Sequence, residues 1–314
     1  MTDFSAGEAG TAGLRLIVKQ PLAVLAWSLI YLVLYGVPMG FYFWFFFNSI
    51  GPLTQQMAQA AAAGAPGFAP NNPEFMRSMA VIEMMYPLML ICMVASRGLV
   101  QSAICRAVLE PENRAWFYIR FGKRELWVAL TGFVFVMLIG VAEFAGFAVI
   151  AIPAVIIGAI GHAVIGVGGW VIAAILGVAA LIAFLAWLAL RFSLCIPMSF
   201  ADSEFRLGES WTLTKGRVGR LLLTGLIAAL VAWLFETVVM CFAMAVVLAV
   251  VFGGHWTASN FPADGANPAA VFSAMAPIMV GAMVFMSLLI GPISAIILAP
   301  FAAVLKAIRP IPVP

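Results

Sequence analysis

The sequence predicts an all-α fold, a polytopic membrane bundle of six transmembrane helices, on the strength of three observations. Hydrophobic residues form 65% of the 314 residues and charged residues only 9%, with a mean hydropathy of +1.12. A soluble globular domain carries roughly 25% charged residues, so this chain cannot cover a water-facing surface. The apolar residues also fall into six long segments, and all but one of the 16 Lys and Arg residues lie on the same side of those segments.

Each segment is long enough to cross a bilayer, which takes about 20 apolar residues. The predicted spans are Pro21–Phe47, Met79–Ala103, a third beginning near Trp127, a fourth ending at Leu190, Leu221–Phe252 and Val271–Leu305. Only Glu143 and His162 interrupt the stretch from residue 129 to residue 190. It is predicted to form two helices joined around Gly158–Gly169, because three would move Arg191 to the opposite side.

The sixth span is too long for one straight crossing and contains Pro277, Pro292 and Pro300. Proline removes a backbone donor and bends a helix. A break is therefore expected at Gly291-Pro292, leaving a half-helix along the inner interface.

The basic residues set the orientation, since short loops rich in Lys and Arg stay in the cytoplasm. Only Arg77 lies on the opposite side. The predicted organisation is a cytoplasmic tail over residues 1–20, a membrane domain over 21–305 and a second cytoplasmic tail over 306–314. The expected location is the bacterial inner membrane. A net charge of +3 is too small to suggest a nucleic-acid partner.

Two inner connectors mix basic and aromatic residues. The first connector is Cys105–Leu126 and the second is Arg191–Arg220; between them they carry Trp116, Phe117 and Trp211. Because aromatic rings prefer the headgroup zone and Lys and Arg reach anionic phosphates there, short amphipathic helices on the inner surface are predicted.

Seven cations on the inner side are candidate contacts to lipid phosphate. They are Arg97, Arg191, Lys123, Arg124, Lys215, Arg217 and Arg220. The alternative is that Arg97 and Arg191 extend to the interface as ordinary long side chains at span ends, while the other five only anchor the topology.

An internal repeat is visible in the apolar sequence. Arg97 precedes Gly122 by 25 residues, and Arg191 precedes Gly216 by 25. A Leu-Thr-Gly triplet then precedes a glutamate, with Glu143 and Glu236 each 11 residues after the glycine of their triplet. Spans two–three and four–five are therefore predicted to be duplicated hairpins. Parallel repeats of this kind occur in transporters, although duplication is also a simple way to build a bundle.

Three glutamates, Glu83, Glu143 and Glu236, fall within spans. A carboxylate in hydrocarbon costs several kcal/mol or is neutralised, so each needs a reason. Small residues share the helical faces of Glu143 and Glu236, which predicts that both face protein rather than lipid, in the outer half of the membrane. The three form a candidate polar cavity for a proton, a cation or a cationic substrate. Alternatively, each pins one helix contact through a hydrogen bond.

No catalytic residue is predicted. The sequence contains no HExxH motif, no Cys/His metal spacing, no GxSxG motif and no glycine-rich phosphate loop. No cofactor and no metal are expected.

The run RFSLCIPMSFADSEFRLGESWTLTKGRVGRLLL, Arg191–Leu223, resembles a segment of the bacterial membrane domain attached to some glycerophosphodiester phosphodiesterases and of related six-span proteins that stand alone. The residues that carry the resemblance are Arg191, Pro197, Ser210, Trp211, Leu213, Thr214, Lys215 and Gly216. The resemblance implies an all-helical membrane domain found beside lipid-linked enzymes. It brings no catalytic residue, because the phosphodiesterase site of such proteins lies in a separate soluble domain.

The function expected from these features is that of a non-enzymatic accessory or scaffold protein of the inner membrane. Its partners would be membrane lipids, anionic ones in particular, and another membrane protein. The alternative is a transporter or channel that uses the intramembrane glutamates.

Overall fold

The computed structural model describes residues 4–46, 73–250 and 268–309, and every regular element in these ranges is helical. The helices are α1 (Ala6–Gly10), α2 (Ala12–Lys19), α3 (Pro21–Tyr31), α4 (Pro73–Leu109), α5 (Lys123–Ile165), α6 (Val167–Phe192), α7 (Cys195–Asp202), α8 (Leu207–Leu213), α9 (Val218–Val250) and α10 (Pro268–Ile308). Helix α3 continues through a π-helical turn, Leu32–Gly36, into a longer apolar span.

Six helical stretches are long and apolar enough to cross a membrane. They are Pro21–Phe46, Met79–Leu109, Ala115–Ile165, Val167–Asp202, Val218–Val246 and Met279–Ile308. The prediction of an all-α, six-span polytopic bundle is confirmed. Phe47 and Phe252, the predicted ends of spans one and five, lie outside the described residues, as do residues 310–314 of the predicted C-terminal tail.

The break predicted at Gly291-Pro292 is wrong, because α10 is one helix through that dipeptide. Gly291 lies against α3 so closely that a Cβ atom there would be 2.9 Å from the backbone nitrogen of Ser28. Proline is tolerated in membrane helices where a neighbouring helix packs against the distorted turn. The absence of a side chain at Gly291 allows that packing.

The chain divides into two compact units. Unit 1 comprises the described residues in 4–13, 101–228 and 297–309, and unit 2 those in 14–100 and 229–296. Unit 1 has a buried hydrophobic core whose members include Phe4, Ala9, Leu190, Leu194, Met198, Leu221, Val304 and Leu305. The segment predicted as an N-terminal tail is therefore partly folded, since Phe4 and Ala9 belong to this core.

Helices α5 and α6 form an antiparallel hairpin within unit 1. They are joined by one residue, Gly166, whose φ of +62° suits glycine. A Cβ atom on Gly161 would lie 2.9 Å from the Cα atom of Gly169, so the two backbones approach closely near the turn. Farther along the hairpin, Ile152 and Ile175 are exposed, as expected for side chains that face lipid.

In unit 2, α3 packs against α10. The Tyr31 and Ser294 hydroxyl oxygens lie 3.4 Å apart, and Trp27 is fully buried. Gly36, at the end of the π-helical turn, lies beside Ser287. Small and hydroxyl-bearing residues at such contacts let membrane helices approach closely and hydrogen-bond.

The connectors differ from the prediction of amphipathic surface helices. Between the end of α4 and the start of α5, the first connector contains only a short turn, Ala115–Tyr118. In the second, α7 is buried from Cys195 to Phe200, and only α8 remains as a short, partly exposed helix. The hydrophobic residues of α7 are thus used inside unit 1 and do not cover a membrane surface.

Candidate functional site

Arg106, near the end of α4, fixes the first connector from inside unit 1. Its guanidinium Nη2 donates to Glu125 Oε1, and its Nη1 donates to the Tyr118 carbonyl oxygen. The Arg106 side chain is only 3% exposed and that of Glu125 is 8% exposed. The ring of Phe200 lies 5.2 Å from the Arg106 guanidinium carbon. The connector is therefore tied to the bundle by a buried ion pair, a role that the sequence analysis did not assign to Arg106.

Three successive residues of this connector adopt left-handed backbone conformations. The φ angles are 52° at Trp116, 57° at Phe117 and 66° at Tyr118. Such angles cost a non-glycine residue roughly 1–2 kcal/mol each and persist only where the surroundings fix them. Tyr118 supplies that restraint, because its side chain is buried and its hydroxyl group donates to the Pro111 carbonyl oxygen at 3.2 Å.

This turn presents large aromatic side chains outward. Trp116 is 85% exposed and Phe121 is 83% exposed, and Phe117 between them is also exposed. We call these three residues the aromatic turn. Exposed cations flank it at Arg114, Arg120 and Lys123. An aromatic cluster held out by a restrained backbone and surrounded by cations has the composition that suits a lipid headgroup layer.

Arg191, near the end of α6, packs against two indole rings that contact each other edge to face, with their centres 5.2 Å apart. Its guanidinium carbon is 5.0 Å from the centre of the Trp211 ring and 5.7 Å from that of Trp187. Its carbonyl oxygen accepts hydrogen bonds from Ser210 Oγ at 3.0 Å and Thr214 Oγ1 at 3.2 Å. These bonds dock α8 onto the end of α6 and bring Trp211 to the guanidinium. The Arg191 Nε and Nη1 atoms are enclosed and have no acceptor.

The other predicted phosphate contacts in unit 1 fall into two groups. Arg124 is engaged within the chain, because it pairs with Glu110 at 2.6 Å and donates to Ser203 Oγ at 3.0 Å. Arg217 also bonds within the chain, to the Leu213 carbonyl oxygen at 3.2 Å. Lys123, Lys215 and Arg220 are exposed, as is Arg97 in unit 2.

Arg206 is the centre of a surface ion-pair network that the sequence analysis did not single out. It pairs with Glu209, with Glu204 at 2.9 Å and with Asp202 at 3.3 Å. The hydrogen bond to Glu209 and the charges of all three carboxylates raise the pKa of Arg206. Arg309 reaches the same Asp202 carboxylate at 2.9 Å. This network stabilises the turn between α7 and α8, and its two arginines and three carboxylates leave no net positive charge there.

The three intramembrane glutamates occupy exposed positions. Glu143 belongs to unit 1, while Glu83 and Glu236 belong to unit 2. The expectation that packing within the chain would cover Glu143 and Glu236 is not met, since both side chains are exposed. Glu143 lines a surface cavity of about 360 Å³ whose wall includes Gly140 and Phe147. Their gathering into one polar cavity, and the transport function built on it, stay predictions.

The repeat also stays a prediction. Thr131 and Thr224, which occupy matching positions in the two copies, are both fully buried, and the two repeat glutamates are both exposed. Thr131 Oγ1 donates to Ser199 Oγ at 2.9 Å, whereas Thr224 Oγ1 donates to the Arg220 carbonyl oxygen at 3.0 Å. Burial is thus similar at these positions, while the bonding partners differ.

Taken together, the helices and their apolar exposed faces define the chain as a multi-pass membrane protein. Comparison with family models, curated proteins and solved structures finds no match for it. The resemblance of Arg191–Leu223 to the membrane domain of glycerophosphodiester phosphodiesterases therefore stays a prediction.

Proposed function

We propose that this chain is a non-enzymatic accessory or scaffold protein of the bacterial inner membrane, with both termini in the cytoplasm, and that its inner connectors contact anionic lipid. The observation that carries the proposal is the aromatic turn, which presents Trp116, Phe117 and Phe121 outward beside exposed cations. Aromatic rings that are exposed to this extent are unfavourable in water, because each presents a large apolar surface.

The charge bias supports this orientation and location. Short basic loops stay in the cytoplasm, so the connectors would meet the anionic cytoplasmic leaflet. Each uncompensated Lys or Arg near such a surface contributes about 1 kcal/mol of attraction. Lys123 and Lys215 are exposed and suit this role, whereas Arg124 is already paired with Glu110.

We expect the two connectors to play different parts in the proposed contact. The first connector supplies the aromatic turn and its cations. The second uses α7 as buried packing material and offers Lys215 and Arg220 at the surface. The resemblance of the second connector to a membrane domain that accompanies lipid-linked enzymes agrees with an accessory role beside another membrane protein.

The test is the lipid that co-purifies with the chain. Two variants remove the contacts separately: Lys123→Gln/Lys215→Gln/Arg220→Gln, and Trp116→Ser/Phe121→Ser. Mass spectrometry of the extracted phospholipid should show the anionic fraction reduced several-fold in the first and the total bound lipid reduced in the second. Arg77→Gln, on the opposite side of the membrane, is the control and should leave both unchanged. Wild-type lipid content in both connector variants would rule out the proposal.

A further inference from the structure

We infer that Arg191, which packs against the paired rings of Trp187 and Trp211, is a binding site for the phosphate group of one anionic phospholipid. This inference rests on the proposed lipid contact and makes it specific. A discrete site of this kind differs from the diffuse electrostatic attraction between exposed lysines and anionic lipid. We call Arg191 and the two tryptophans the arginine–indole site.

No described residue compensates the charge of Arg191. Four arginines of unit 1, namely Arg106, Arg124, Arg206 and Arg309, each have a carboxylate partner. Arg191 forms no ion pair among the described residues, although it is half-buried. A cation in such surroundings is costly without an anion or hydrogen-bond acceptors. The described residues supply no counter-charge, so an anion from outside them would stabilise Arg191.

The Arg191 guanidinium is also positioned to bind an anion. Its Nε and Nη1 atoms are enclosed and lack an acceptor, while Nη2 is not enclosed. An anion therefore reaches the guanidinium through Nη2, which carries two N–H donors of its own. The indole rings restrict the group through cation–π contacts at 5.0 and 5.7 Å. Little side-chain entropy would therefore be lost on binding.

The depth of the arginine–indole site in the membrane suits a phospholipid phosphate. A Cβ atom on Gly225 would lie 3.6 Å from Leu190 Cδ2, so this part of α6 is level with Gly225 of α9. Gly225 lies five residues beyond Arg220, which is about 7 Å along a helix. Leu222 and Leu226, which flank this level, are exposed apolar residues, as expected where lipid begins. Arg191 thus lies slightly deeper in the membrane than the exposed cations. At this depth a lipid can place its phosphate on Arg191 and its acyl chains against the leucines.

A free phosphate ion could also bind the Arg191 guanidinium, but the depth of the site in the membrane favours a lipid. Two indole rings and neighbouring leucines offer apolar surface to acyl chains but nothing to a hydrated inorganic ion. A zwitterionic lipid also carries a phosphate, yet its own cationic group competes with Arg191 for that charge. An anionic headgroup without an amine is therefore the preferred ligand.

The experiment is native mass spectrometry of the purified full-length chain in a neutral detergent. Phosphatidylglycerol, phosphatidylcholine and inorganic phosphate are titrated separately. The wild type should retain one phosphatidylglycerol molecule at concentrations where the other two are not held. Arg191→Gln should weaken that binding roughly tenfold, the loss expected for one charge-assisted contact. Arg309→Gln is the matched control, because it removes a partly exposed arginine of the same unit that is paired with Asp202, and it should leave the tight site intact.

Several results would overturn the inference. Wild-type affinity of Arg191→Gln for phosphatidylglycerol would overturn it. If the lysine variants nevertheless lost lipid, the proposed function would stand without the arginine–indole site. Binding of inorganic phosphate that displaces the lipid would assign the site to a free ion. If Arg191→Gln does not fold, Arg191→Lys decides. It keeps the charge and loses the planar fork, so it should weaken the tight site at least threefold, and unchanged binding would count against the site.

Discussion

Replacing Arg106 by Met should destabilise the protein far more than any other change to a cation of the first connector. The substitution leaves the Glu125 carboxylate buried without its partner and removes the donor to the Tyr118 carbonyl oxygen. Met keeps much of the apolar volume, so the loss reports on charge and hydrogen bonds more than on packing.

The magnitude follows from the burial of both partners. Breaking a buried ion pair by removing one member costs about 3–5 kcal/mol, because an uncompensated charge is left behind. An orphaned buried carbonyl adds about 1–3 kcal/mol. The double variant Arg106→Met/Glu125→Leu removes both charges, so its cost should fall to about that of the carbonyl alone. The double variant should thus be more stable than Arg106→Met.

Reversible unfolding of the purified chain in mixed micelles with increasing SDS measures these free energies. Arg124→Met is the matched control, since Arg124 lies over the same Phe200 ring at 5.4 Å but pairs with Glu110 while one third exposed. A partly exposed pair contributes about 1 kcal/mol or less, so this variant should stay near the wild type. Equal losses in Arg106→Met and Arg124→Met, or a double variant no better than Arg106→Met, would refute the reasoning.

Two further predictions concern the hairpin and the glutamates. Gly169→Ala should lower the free energy of unfolding by about 1–3 kcal/mol, because its Cβ atom would overlap the Gly161 backbone. Gly140→Ala is the control and should be neutral or stabilising, since a Cβ atom there would have nothing within 4 Å. A neutral Gly169→Ala in SDS unfolding would contradict the close approach of the two helices. If the alternative transport function holds, pH-dependent ion flux in proteoliposomes should be lost in Glu143→Gln or Glu236→Gln, with Glu204→Gln, outside the apolar spans, as the control. Flux that persists in both variants would remove that alternative.

The spans could be read from the sequence because burial in lipid is a property of composition and length. A run such as 129–190, with two polar interruptions, has few alternatives to two membrane helices. The path of α10 could not be read in this way. Whether Pro292 breaks a helix depends on what packs against it, and Ser28, 263 residues earlier in the chain, supplies that contact with Gly291.

The candidate site shows the same limit at the level of single charges. Sequence reasoning named both Arg191 and Trp211, yet grouped Arg191 with Arg97 as a cation at the end of a span. It counted Arg106 only for topology, because the partner Glu125 is 19 residues away across an irregular connector. The left-handed turn at Trp116–Tyr118 has no sequence signal, since none of its residues is a glycine or an asparagine.

What separates these cations physically is whether the chain itself supplies the anion. Arg106 and Arg206 have their fields cancelled by carboxylates a few ångströms away, so neither adds much attraction toward an anionic surface. Lys123 and Lys215 keep their charge exposed to solvent, where salt screens it over about 8 Å. Arg191 is half-buried beside the indoles and pairs with no carboxylate of the described residues, so salt screens it less than the lysines. A lipid contact made by the lysines should therefore weaken as salt rises, while one made at the arginine–indole site should persist.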